Sequence, residues 1–166
     1  VANRFRGGGS YLYMSNGGTE VFVEVLTLAV SALASREWEF RFAALIAEQD
    51  QTAFGRGVVG FDLEDLDWGD APAEHTTNKG FVVEVVDLAL SRHRWDELGY
   101  DPPFVQDSLR RFRQMVKAFD PSTAVPEPRR FPVPEEVVAV SCVRHRVLSP
   151  LSYYRGCVFC GDDSLA

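Results

Sequence analysis

The sequence predicts a mainly α fold, a compact bundle of about four helices followed by a small C-terminal β/loop element. Three observations lead there. Apolar residues recur at helical spacing in several stretches between positions 19 and 120. Five of the nine prolines then crowd into residues 120–134, where no helix can continue. All three cysteines lie beyond that segment, at 142, 157 and 160. A chain of 166 residues, 46 % of them hydrophobic, is long enough for one real core. Its twelve Phe, five Tyr and three Trp argue against disorder along the whole length.

The expected organisation has four parts. Residues 1–18 are Gly-rich at both ends, with "RGGGS" and "SNGG", and read as a flexible arm around Tyr11–Met14. A helical body covers 19–120, a Pro-rich connector 121–134 and a tail 135–166. In the body, Thr19 is the expected cap of the first helix, with Glu20 at its positive end. Glu20, Glu24, Thr27, Ser31 and Ser35 then draw one narrow polar stripe, with apolar residues everywhere between. So thin a wet face predicts a helix set deep in the domain. Residues 36–54 alternate like a strand at Trp38, Phe40 and Phe42, but their Ala and Glu content favours helix.

Residues 55–78 break the pattern and read as a loop. Thr77 or Asn78 should cap the next helix, which carries Phe81, Val82, Val85, Leu88 and Ala89 to about Leu98, with Gly99 as its stop. "DPP" at 101–103 should start another helix. Val105, Leu109, Phe112, Val116 and Phe119 form its inner face, and Asp107, Arg110, Arg111, Arg113 and Lys117 its outer one. Beyond the connector, "EEVVAVS" at 135–141 reads as a short strand leading to the first cysteine.

The tail carries the strongest chemical signal. Cys142-x2-His145 is separated by eleven residues from Cys157-x2-Cys160. Two close pairs can each clamp one side of a tetrahedral ion, and thiolate with imidazole suits Zn2+. Gly161 follows the second pair, where a tight turn would aim backbone amides at the cysteine sulfurs. In this stretch of about twenty residues the pattern resembles a zinc knuckle, a type of site rather than a family. With Cys142, His145, Cys157 and Cys160 all ligating, no position stays open for water. The expected role is therefore structural, with metal binding contributing to folding. An iron–sulfur cluster suits the set less well because one ligand is His. The bland alternative is buried cysteines beside a surface histidine.

Other motifs are weaker. Gly55, Gly57 and Gly60 match G-x-G-x-x-G, yet no strand precedes them and a carboxylate-rich stretch follows, which speaks for a turning loop. The acidic run Asp62, Glu64, Asp65, Asp67 and Asp70 lacks the ligand order of an EF-hand and is most simply a solvated loop. Its interleaved Phe61, Leu63, Leu66 and Trp68 suggest a second use. Asp62, Glu64, Asp65, Asp67 and Trp68 would together suit a surface that grips a basic protein. His75 and His93 accompany no nucleophile motif, which weighs against an enzyme.

Net charge is −7 and the pI near 5.0, so nucleic acid and anionic membrane repel the chain on average. The apolar run from Val21 to Ala34 is interrupted by Glu24 and too short to span a bilayer. The opening residues VANRFRGGGS show no apolar core of the signal-peptide kind, and three cysteines fit a disulfide scaffold poorly. The expected location is cytoplasmic. The expected function is that of a zinc-stabilised protein acting through protein–protein contact, as an immunity or antitoxin-like inhibitor does. One alternative is a zinc-containing nucleic-acid-binding regulator using Arg144, Arg146 and Arg155. A second is an enzyme whose site is assembled from dispersed residues.

Overall fold

The computed structural model describes residues 2–102 and 104–160. It is rich in helix and carries one small sheet. A hairpin, β1 (Asn3–Gly7) and β2 (Ser10–Met14), precedes α1 (Asn16–Leu33), α2 (Glu37–Ala47), α3 (Gln51–Phe54), α4 (Pro72–Leu90) and α5 (Val105–Ala118). α1 lies against α2, α4 and α5, while α4 and α5 pack on each other. No described helix is long and apolar enough to cross a membrane.

The periodic residues go where their spacing sends them. Val105, Leu109, Phe112, Val116 and Phe119 are all buried, as are Phe81, Val82, Val85 and Ala89. Helix boundaries differ from expectation. α1 begins at Asn16, and its cap is Ser15, whose Oγ accepts from Gly18 N at 3.1 Å. Thr19 is instead a buried link, donating to Ser15 O and accepting from Asn3 Nδ2. α4 starts at Pro72, where a missing N–H costs nothing. It stops at Leu90, and Arg92 and Arg94 then take left-handed backbone before a 3-10 turn at Trp95–Glu97. Pro103 of the "DPP" start lies outside the described residues.

Residues 3–14, expected within a flexible arm, form the antiparallel hairpin, with Phe5, Leu12 and Met14 buried. Segment 59–62 runs along the other edge of β1, with Arg4 N donating to Val59 O and Arg6 N to Phe61 O. Phe5 thereby joins Phe22, Phe61 and Phe112 in a cluster of edge-to-face rings, with centroids 5.0–6.3 Å apart. Asn3 is fully buried and satisfied. Its amide donates to Thr19 Oγ1 (2.7 Å) and Gln51 Oε1 (2.9 Å), and its carbonyl accepts from Val59 N. The glycines misled because they supply the hairpin turn, where Gly8 and Gly9 have positive φ.

The acidic loop also faces inward. Phe61, Leu63, Leu66 and Trp68 are buried, and Trp68, only 1 % exposed, packs against Trp38 and donates its indole N–H to Leu63 O. Trp68 therefore offers no anchor to a partner, a correction to the sequence reading. Alternating apolar residues in a loop bury as readily as they project, and here the core claims them. Asp62 pairs with Arg6 at 2.8 Å and Asp67 with Arg41 at 3.2 Å. Glu64 and Asp65 are half-buried, and their carbonyls accept from Val125 N and Glu127 N of the connector. The connector is thus strapped to the body. Phe131 sits in the core beside Trp38, under the Arg41 guanidinium.

Two outcomes follow for stability. Gly60 has φ 128°, and a Cβ there would stand 1.8 Å from Arg4 O. Gly60→Ala should cost about 3 kcal/mol or more, seen as a lower denaturant midpoint. An unchanged midpoint would mean β1 and 59–62 are not in contact. Burial pushes the Glu48 carboxyl up to about 7 from the ordinary 4.5. The folded state then holds this proton more tightly than the unfolded state. The resulting stability is complete below pH 4.5 and lost as pH rises through about 7. Glu48 is partly exposed, so screening leaves an effect on the order of 1 kcal/mol. Glu48→Gln should remove that decline when stability is measured across this range.

Candidate metal centre

The tail reverses on itself as an irregular hairpin. Val138 N donates to Pro150 O, Ser149 N to Val140 O and Cys142 N to Val147 O, and Val137 and Ser141 bridge Leu151 and Leu148. The strand expected at 135–141 is reduced to these bridges, because Pro134–Glu136 forms a 3-10 turn at its start. The hairpin brings both ligand pairs to one end.

There the four donor atoms of Cys142, His145, Cys157 and Cys160 all lie within 4.8 Å of one another. His145 Nδ1 is 3.8 Å from Cys142 Sγ, 3.6 Å from Cys157 Sγ and 3.0 Å from Cys160 Sγ. Cys142 and Cys160 sulfurs are 3.9 Å apart, far beyond a disulfide. A tetrahedral zinc with metal–sulfur bonds of about 2.3 Å requires sulfur–sulfur edges of about 3.8 Å. The donor set and its spacing are compatible with such a site.

Each pair repeats one local design. Backbone N–H groups of His145 and Arg144 point at Cys142 Sγ and hold its thiol down to about 6. The N–H groups of Phe159 and Cys160 point at Cys157 Sγ, where burial wins and pushes the thiol up. Amides i+2 and i+3 after each leading cysteine thus do the aiming, a role the sequence reading gave to a turn at Gly161. Gly161 lies outside the described residues.

Sequence reasoning missed what holds the loop in place. Cys142, Val147 and Cys157 bury against Leu28 of α1 in a small core of their own. Ser31, a member of the polar stripe, accepts from Leu148 N at 2.8 Å. Arg94 donates to His145 O at 2.8 Å, and its guanidinium lies 4.8 Å from the centre of the Phe159 ring. The stripe contained a signal for Ser31. Arg94, 51 residues from His145, had none. Arg155, expected in a basic patch, turns to the Leu151 and Tyr154 carbonyls, while Arg144 and Arg146 are exposed.

Outside the centre, His75 accompanies the Gly69 carbonyl at 2.9 Å, a local hydrogen bond. Gly55 ends α3 and Gly60 enters the segment beside β1, so the G-x-G-x-x-G stretch is followed by only the 3-10 turn Leu63–Asp65 and opens no α-helix. No protein-family model, curated protein or solved structure matches the chain.

Arg146 closes the first turn with φ 57°, a left-handed conformation disfavoured for a residue with a Cβ. Arg146→Gly should raise stability by about 1 kcal/mol, read as a Tm higher by a few degrees with metal content unchanged. A lower Tm would show that the Arg146 side chain carries a stabilising role of its own.

Proposed function

We propose that Cys142, His145, Cys157 and Cys160 hold one Zn2+ in a closed, structural, zinc-knuckle-like site, and that the protein works by binding a partner rather than by catalysis at the metal. The convergence of four soft donors at tetrahedral spacing carries this reading. Four protein ligands leave no coordination position for water, so the ion's contribution is to folding. What it stabilises is the seat of the tail on α1, made by Leu28 and Ser31.

The net charge of −7 favours a basic protein as the partner, the setting of an immunity or antitoxin-like inhibitor. Asp70 and the part-exposed Asp67 are the members of the acidic run that remain outward-facing enough to take part. Trp68 is excluded from that surface by its burial.

Elemental analysis of the purified chain should give one zinc per molecule. Chelation at neutral pH, or Cys160→Ser, should lower Tm by roughly 10 °C. A metal-free protein with an unchanged Tm under chelator would overturn the assignment. A basic-protein binder of this charge should pass through a DNA column at low salt. Retention that Arg144→Ala abolishes would favour the nucleic-acid-binding reading instead.

A further inference from the structure

The metal loop does not cover the whole polar stripe of α1. Ser31 is taken by Leu148 N, but Thr27, Glu24 and Glu20, successively nearer the helix start, face a cleft. The corner between α2 and α3 supplies a second wall through Asp50, Gln51 and Ala53. The metal loop supplies the third, with Leu148, Pro150, Leu151 and Tyr154. The volume is about 490 Å3, in the range of small-molecule sites.

The walls differ in chemistry. The loop side is largely apolar, and the helix side is negative. Glu24 is half-buried, burial pushes its carboxyl up, and Glu20 and Asp50 repel it further. Tyr100 donates a hydrogen bond to it. Among the described residues, no Lys or Arg forms an ion pair with Glu20, Glu24 or Asp50. Arg56 also lines the cleft, but its charge acts on Glu48. A cleft with one apolar wall and one uncompensated, partly desolvated carboxylate is matched by a cation on an apolar body.

We propose that this cleft binds a small primary amine, its ammonium on Glu24 and its apolar part against Leu148, Pro150 and Leu151. A neutral molecule of the same shape fills the apolar side and leaves the carboxylate without a counter-charge. Binding therefore discriminates by charge. The loop wall is placed by the metal centre, so the inference rests on that reading for the shape of the cleft and on α1 for its charge.

The test uses the full chain with zinc measured on the same sample. It is titrated with 2-phenylethylamine and n-hexylamine, with 2-phenylethanol and n-hexanol as neutral counterparts, followed by amide NMR shifts. At least one amine should shift Thr27, Asp50, Leu148 and Leu151 saturably and bind about 10-fold more tightly than its alcohol, a difference of about 1.4 kcal/mol. Glu24→Gln keeps an acceptor for Tyr100 and should remove that preference. Glu20→Gln, at an exposed position, should weaken amine binding about 3-fold and serves if the first variant misfolds. Absence of saturable shifts with either amine, equal affinity for amine and alcohol, or no response to both substitutions would overturn the proposal. Amine binding by a zinc-free chain would leave the cleft standing and sink the metal reading. A zinc-loaded chain that binds neither amine would do the reverse.

Discussion

α1 is enclosed from two directions, and the rest of the molecule is arranged around that fact. One side carries Phe22, Val25, Leu26 and Ala29 into the main core with the hairpin, α4 and α5. Leu28, on the same helix, belongs to a separate small core with Cys142, Val147 and Cys157. A helix hydrophobic nearly all round must be covered nearly all round. The helical body covers one side, and the tail beyond the connector returns to cover the other. The connector, strapped to Glu64 and Asp65, fixes the direction of that return.

The small core is too slight to hold a loop by burial alone. A few apolar side chains against Leu28 contribute several kcal/mol at most, which ordering some twenty residues consumes. Cross-linking by an ion is the ordinary remedy for a short segment. In the proposed zinc site, three thiolates and a neutral imidazole around a divalent cation would leave the centre negatively charged. The amides of Arg144, His145, Phe159 and Cys160 and the Arg94 guanidinium are placed to answer that charge.

Much of this was legible in the residues. The inner face of α5 could be read position by position, because a strongly amphipathic helix has one way to lie. The four donor residues could be read from spacing, since two x2 pairs separated by a reversing segment form a local chemical unit. The hairpin was hidden because its glycines resemble those of a flexible arm, and its burial depends on segment 59–62, far along the chain. Trp68 was misjudged for a related reason. Alternation of charge and apolar residues fixes which side chains share a face, but not whether solvent or core meets that face. Tertiary partners decide that, and for Trp68 they are Trp38 and Phe119, each about thirty or more positions away. The polar stripe of α1 was read correctly as its wet face, with Glu20 and Ser35 exposed, although Ser31 within it serves as a docking point.

The double enclosure of α1 has a consequence for the order in which the protein comes into being on a ribosome. α1 is made before α4 and α5, and its main-core side gains cover when they emerge. Its Leu28 side waits until Cys142, Val147 and Cys157 have been synthesised, so the growing chain carries Leu28 without that cover in the meantime. If the four donors hold the proposed ion, newly made molecules short of it would keep Leu28 bare, and their fate among chaperones and proteases would follow its supply.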